Sequence, residues 1–165
     1  MIVPYNRSAA VAYALRWSRS RNPDFYDYAQ IGGDCTNFVS QCVYAGSLVM
    51  NYTPDFGWYY INANDKSPSW TGVEFFYNFM TTNQGVGPFA QEVPIEDLSL
   101  GDVIQLGEAN GVYYHSLILT GIRQTRRGKS YYVSAHSQDT LNRNLATYSF
   151  ERIRGIKILG VRTES

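Results

Sequence analysis

Helical and strand patterns occupy different halves of this chain, and their separation limits the folds available to it. Apolar residues recur at helical spacing in residues 8–19, 35–46 and 71–80. Segments rich in β-branched and aromatic residues follow at 102–106, 112–122, 130–136 and 153–161. Because no strand–helix–strand alternation occurs, we predict an α+β fold in which N-terminal helices pack on an antiparallel β-sheet.

The size and charge of the chain exclude several classes of protein. A chain of 165 residues, 44% of them hydrophobic, is expected to form a single domain over residues 1–165. Lys and Arg number 14, as do Asp and Glu, so no overall field attracts nucleic acid or an anionic membrane. The apolar runs are too short to span a membrane, and the first five residues lack the pattern of a signal peptide.

The segments between the predicted elements carry turn signals. We predict a loop over residues 23–33 and irregular structure with short strands over 51–70. Four basic residues between two predicted strands are typical of a solvated hairpin turn, namely Arg123, Arg126, Arg127 and Lys129.

The run Gly33-Asp34-Cys35-Thr36-Asn37-Phe38-Val39-Ser40-Gln41 indicates a nucleophilic cysteine at a helix start. The glycines before Cys35 allow a tight approach, Asp34 is a favoured N-cap, and Gly46 is a typical end for the helix. The helix dipole would then stabilise a Cys35 thiolate and lower the pKa of the thiol. Unpaired backbone N–H groups at the same end could bind an oxyanion.

The second cysteine, Cys42, lies seven residues further along the same predicted helix. The two Cα atoms would be roughly 10 Å apart, which is too far for a disulfide and argues against a shared zinc ion. We therefore predict that Cys42 is a small buried side chain, and that the protein uses neither a metal ion nor another cofactor.

The two histidines of the chain, His115 and His136, both fall in predicted strands. If the hairpin between these strands pairs Ile122 with Lys129, the same register pairs His115 with His136. Paired side chains lie roughly 4.5–5.5 Å apart, so one imidazole could orient the other. We predict that His115 is the base for Cys35 and that His136 orients it. Alternatives for the orienting role are Ser134, Gln138 and Asp139, and His136 could instead contact substrate.

Aromatic residues make up 15% of the chain, and 14 of them are tyrosines. Such residues suit a binding groove and a packed core equally well. Trp58, Tyr59 and Trp70 are our candidates for a substrate groove, with Tyr28 as a further candidate and core packing as the alternative for all of them.

These motifs together resemble a known family. The cysteine run, Tyr13-Ala14, Trp58-Tyr59-Tyr60, Ser69-Trp70-Thr71, Leu100-Gly101-Asp102-Val103-Ile104, His115-Ser116 and Ser134-Ala135-His136 occur in its order. The chain resembles the bacterial Putative amidase domain family, which is similar to the CHAP and NlpC-like cysteine peptidases. The resemblance runs from about residue 5 to residue 161.

The resemblance implies a papain-like fold and hydrolysis of amide bonds in bacterial peptidoglycan. Its Cys-His-His triad corresponds to Cys35 as nucleophile, His115 as base and His136 as the orienting residue. The oxyanion would be held by the Cys35 N–H with a donor from Tyr28 or Gln30, and Asp34 would support this arrangement.

The resemblance leaves the cleaved bond open. An N-acetylmuramoyl-L-alanine amidase is our first expectation, with an endopeptidase of stem peptides or cross-bridges, a transpeptidase, or a non-catalytic wall-binding module as alternatives. We expect action outside the cell or in the wall, as an excised domain or a phage-type lysin. We also expect a monomer, or one domain of a chain that carries a separate wall-binding module.

Overall fold

The structure is a computed structural model that describes residues 1–164. Its helices are α1 (Arg7–Trp17), α2 (Cys35–Ser47), α3 (Pro68–Thr71) and α4 (Val73–Thr82). Its strands are β1 (Ile2–Val3), β2 (Tyr60–Asn62), β3 (Asp65–Lys66), β4 (Gly87–Val93), β5 (Val103–Gly107), β6 (Tyr113–Thr125), β7 (Gly128–Ala135), β8 (Thr140–Asn144) and β9 (Arg152–Arg162). Short 3₁₀ turns occupy Ile95–Asp97 and Leu145–Thr147.

Seven strands form one antiparallel sheet in the order β1-β9-β5-β6-β7-β8, and β4 pairs with β9 as well. Strands β2 and β3 form a separate two-stranded pair. Helices precede most of this sheet in the chain, which confirms the predicted α+β class with an antiparallel sheet. None of the helices formed by residues 1–164 is long and apolar enough to cross a membrane.

Two apolar clusters lie on the two faces of the sheet. One packs helices α1, α2 and α4 against side chains such as Ile118 and Ile156. The other gathers Leu106, Leu117 and Leu119 with Leu145, which follows β8. Because neighbouring residues of a strand point to opposite faces, Ile118 of β6 belongs to the helix side and Leu117 to the other side.

The end of α2 differs from the prediction. Gly46 lies inside the helix, and Leu48 ends it in the left-handed conformation at φ 58°. A Cβ atom on Gly46 would lie 2.5 Å from Cε1 of Tyr5. Gly46 is therefore needed for the close approach of Tyr5 to the helix rather than for a helix cap.

The β6–β7 hairpin adopts a different register from the one predicted. Ile122 pairs with Tyr131 rather than with Lys129, and a shift between Leu119 and Gly121 then pairs Ile118 with Ser134. The predicted pairing of His115 with His136 is therefore wrong. The basic turn of the hairpin is exposed, as predicted.

Candidate active site

Two glycines lead the chain into α2. Gly32 and Gly33 have φ angles of +83° and +101°, a region that side chains other than glycine rarely adopt. Asp34 then occupies the N-cap position, and Cys35 is the first residue of α2. The Phe38 N–H donates to the Asp34 carbonyl at 3.0 Å, so the Cys35 N–H precedes this helical bond. The predicted placement of Cys35 is confirmed.

The Asp34 carboxylate does not cap the helix, contrary to the prediction. Its Oδ1 accepts from the Tyr28 N–H at 2.8 Å and from Asn37 Nδ2 at 2.9 Å. Its Oδ2 lies 2.7 Å from Nδ1 of His136. Asp34 is buried. Its contacts connect the start of α2 to the preceding loop and to the end of β7.

The His136 ring is held on three sides. Besides Asp34, its Nε2 lies 2.6 Å from the Trp17 carbonyl, and its ring stacks on Phe38 with the centroids 3.9 Å apart. A carboxylate and a carbonyl both accept hydrogen bonds, so each ring nitrogen faces an acceptor. His136 and Asp34 form a buried pair, which is an ion pair when the imidazole is protonated.

Arg21 extends this pair toward the surface. Its guanidinium binds Asp139 in a bidentate arrangement at 2.8 and 2.9 Å, and it lies 3.2 Å from Asp27. One of its nitrogens is 3.3 Å from His136 Nε2, which is a longer contact than the one His136 makes with Trp17. Asp139, an alternative for orienting His115, is therefore engaged by Arg21.

The sulfur of Cys35 contacts polar groups of α2 and β6. It lies 3.8 Å from the Thr36 hydroxyl. The backbone of Thr36 and of Ser116 also acts on the thiol and lowers its pKa. A 2.9 Å hydrogen bond between the Thr36 and Ser116 hydroxyls connects α2 to β6. Burial nevertheless raises the pKa of the Cys35 thiol, so the predicted lowering is wrong.

His115 lies one residue before Ser116. It is paired with Leu106 next to a shift in the β5–β6 register, and its ring is 6.1 Å from that of Tyr148. Strand alternation places it on the face of Leu117, whereas Ser116 points toward α2. Within residues 1–164, the polar neighbours of the Cys35 sulfur are Thr36 and Ser116 rather than either imidazole.

The charge state of His115 is set by its surroundings. Burial lowers its pKa to about 4, and the positive charge of Arg143 contributes in the same direction. His115 is therefore neutral at neutral pH and can accept a proton.

This pKa shift predicts a pH dependence of stability. The pKa of His115 is about 4 in the folded state against an ordinary value of 6.5, so between these values only the unfolded chain binds the proton. The contribution of His115 to the free energy of unfolding should therefore fall by about 3 kcal/mol as the pH drops from 6.5 to 4. Urea denaturation of the protein and of its His115→Asn variant at both pH values measures this. Equal losses in the two proteins would contradict it.

The three candidate oxyanion donors, Tyr28, Gln30 and the Cys35 N–H, lie in different surroundings. Tyr28 is buried, and its hydroxyl donates to the Ala63 carbonyl at 3.0 Å while its N–H donates to Asp34. Both of its donors are therefore committed. Gln30 is exposed in the turn that precedes Gly32. The Cys35 N–H is thus the candidate oxyanion donor with a defined place at the helix start.

The three aromatic groove candidates lie in the core. Trp58 and Trp70 are fully buried, and their indole N–H groups donate to Ser40 Oγ at 3.1 Å and Asn37 Oδ1 at 2.9 Å. Tyr59 is buried as well. Buried side chains of this kind cannot meet a substrate directly, so core packing describes them correctly. Cys42 is also fully buried, as predicted.

A shallow cleft opens beside the glycine loop. It has a volume of about 310 Å³ and is lined by Tyr28, Ile31, Gly32, Gly33, Lys66 and Thr71. A larger groove of about 540 Å³ lies along α4 and the segment 51–56. None of Cys35, His115 and His136 lines either space, but the wall of the cleft includes Gly33, two residues before Cys35. The cleft is therefore the candidate substrate site.

Sequence reasoning gave no role to several residues of this region. Thr36 and Ser116 stand directly after Cys35 and His115 in the motifs, and this adjacency was the available signal. Lys66 of the cleft is distant from Cys35 in sequence and carried no signal, and Thr71 was noted only within the motif Ser69-Trp70-Thr71. Across residues 1–164, no group of three or more His, Cys, Asp or Glu side chains is arranged to hold a metal ion.

Comparison with known proteins gives a family and no solved structure. Uncharacterized protein YhbB of Bacillus subtilis (strain 168) is 30% identical over 118 residues, 70% of this chain and 37% of YhbB. Uncharacterized protein YjcM of the same strain is 27% identical over 146 residues, 84% of this chain and 32% of YjcM. The chain thus spans about a third of the length of these relatives. No solved structure matches. The family described as Putative amidase domain matches residues 4–159, and the chain belongs to this family.

Proposed function

We propose that this chain is a cysteine-dependent hydrolase of amide bonds in bacterial peptidoglycan, of the N-acetylmuramoyl-L-alanine amidase type. The observation that carries this proposal is Cys35 at the N-terminal end of α2, where the hydroxyl of the next residue, Thr36, is hydrogen-bonded to Ser116, which follows His115. Membership of the Putative amidase domain family supports amide hydrolysis. The peptidoglycan substrate and a papain-like fold rest on the resemblance to CHAP and NlpC-like enzymes.

His115 is the general base in this proposal. Because burial keeps Cys35 protonated, the thiol needs a neutral acceptor for its proton as it attacks. His115 is neutral and directly precedes Ser116, and the proposal requires its ring to reach the sulfur at the start of β6, where the β5–β6 register shifts. His136 cannot serve as the base because both of its nitrogens are engaged by Asp34 and Trp17.

The reaction proceeds through a thioester. The Cys35 sulfur attacks the amide carbonyl as its proton passes to His115, and the Cys35 N–H binds the oxyanion. The carbon–nitrogen bond then breaks as His115 returns the proton to the departing amine. Water attacks the thioester while His115 takes its proton, which then returns to the sulfur as the carboxylic acid leaves.

Asp34 and His136 act as positioning residues in this scheme. Their pairing fixes the residue immediately before Cys35 against the end of β7 and the end of α1. This role replaces the orientation of His115 that was expected for His136, since the two imidazoles do not pair across the hairpin.

The cleft beside the glycine loop suits a charged peptide. Lys66 Nζ donates to the Ala63 carbonyl at 3.0 Å and lies 4.9 Å from the centre of the Tyr28 ring. An ammonium group held at the cleft wall can attract carboxylates, which stem peptides carry. Action on this polymer would take place outside the cell or in the wall.

Muropeptide analysis tests the proposal. Purified peptidoglycan treated with the protein should release intact stem peptides that begin with L-alanine, seen by mass spectrometry, whereas Cys35→Ala should release none. Shortened muropeptides would instead indicate an endopeptidase, and products joined to an added amine a transpeptidase. Sedimentation with the wall but no release by the unaltered protein would show a binding module and contradict the proposal.

A further inference from the structure

Tyr148 carries a hydroxyl group that its position does not explain. Within residues 1–164, this hydroxyl is buried and has no hydrogen-bond partner. A buried hydroxyl without a partner costs stability, and native structures contain few of them. A phenylalanine at this position would avoid this cost, so we expect the hydroxyl to have a function.

The ring of Tyr148 is held firmly in place. It follows the 3₁₀ turn Leu145–Thr147, and it packs against the apolar cluster that contains Leu106 and Leu117. The Arg143 guanidinium lies 3.8 Å from the ring centre on one side. Arg143 is itself anchored, because it donates to the Thr147 hydroxyl at 2.8 Å and to the Thr147 carbonyl at 2.9 Å.

His115 is the titratable side chain beside this ring. The two ring centres are 6.1 Å apart and their planes are inclined by 53°. At this separation a rotation of the His115 side chain can bring one of its ring nitrogens within hydrogen-bond distance of the fixed hydroxyl. His136 is unavailable to His115, because Asp34 and Trp17 engage both of its nitrogens.

We propose that Tyr148 is the positioning residue for His115, its hydroxyl oxygen accepting a hydrogen bond from one ring nitrogen. This inference rests on the proposed function of His115 as the base. A base must present an unprotonated nitrogen to the thiol, so its proton must reside on the other nitrogen. An oxygen acceptor at that second nitrogen fixes this tautomer and the orientation of the ring.

Tyr148→Phe tests the proposal, with Tyr131→Phe as the matched control, because Tyr131 packs against the same apolar cluster. On a soluble muropeptide, Tyr148→Phe should lower kcat about tenfold, the equivalent of one hydrogen bond, and leave KM unchanged. Tyr131→Phe should leave kcat unchanged.

Nitrogen-15 NMR of His115 in the Cys35→Ala protein provides a readout independent of activity. Adding Tyr148→Phe should shift the tautomer populations of the His115 imidazole. Unchanged populations together with an unchanged kcat would overturn the proposal. If the unaltered protein hydrolyses no amide, the proposed function fails, while a tautomer shift would still establish the contact between Tyr148 and His115.

Discussion

Replacement of Cys35 by alanine is expected to abolish amide hydrolysis, with a loss of at least about a thousandfold. The proposed reaction forms a bond to the Cys35 sulfur, and no other group at the start of α2 can form the thioester. The fold should remain, because the side chain is partly exposed and its contacts are limited to Thr36 and Ser116. Release of muropeptides and the far-ultraviolet circular dichroism spectrum measure the two effects.

Cys42 provides the matched control for this prediction. It lies on the same helix and is fully buried, so Cys42→Ala should lower stability and leave hydrolysis intact. Iodoacetamide should label Cys35 slowly at neutral pH and faster as the pH rises, because burial raises the pKa of its thiol. Clearance of purified walls by Cys35→Ala at the normal rate would refute the mechanism.

Asp34→Ala is expected to destabilise the protein by about 4 kcal/mol, because it leaves several buried donors, His136 Nδ1 among them, without their acceptor. The side chains of Asp34 and His136 each have a relative exposure of 1%, so solvent cannot compensate for the loss. The Tyr28 N–H and the Asn37 amide lose their acceptor in the same variant. Urea denaturation at pH 7 measures the change in the free energy of unfolding.

Two further variants separate the buried pair from general disruption. Asp139→Ala removes a carboxylate that is 35% exposed and should cost less than about 1 kcal/mol. His136→Phe combined with Asp34→Ala should recover part of the stability lost in Asp34→Ala, since His136 Nδ1 is then no longer left without an acceptor. Additive effects of the two single substitutions would contradict a direct pair between Asp34 and His136.

Local patterns predicted helices α1, α2 and α4 and strands β5, β6, β7 and β9, but helix α3 and strands β1, β4 and β8 were missed. Strand β4 combines Gly87 and Pro88 with two polar residues, and these interrupt the alternation that marks a strand. Strand β8 is mostly polar, and β1 has two residues. These strands form because β7 and β9 offer them partners, which is a tertiary effect that local patterns do not contain.

The sequence allowed the nucleophile of the candidate site to be predicted, but it did not allow the contacts around that nucleophile to be predicted. The helix start at Cys35 follows from residues adjacent in sequence. The contact of His136 with Asp34 depends on irregularities in the β6–β7 pairing, which no residue pattern announced. The raised pKa of Cys35 depends on how much protein surrounds the sulfur, and the charge of a helix end alone could not reveal this.

Strand β9 determines when the site can form. Residues 152–162 pair with β4 along one edge and with β5 and β1 along the other, and β5 in turn supports the strand that carries His115. A nascent chain that ends before residue 152 therefore lacks the strand to which both halves of the sheet attach. Such long-range pairing slows folding. Residues up to about 162 must thus be synthesised before Cys35 and His115 can act together.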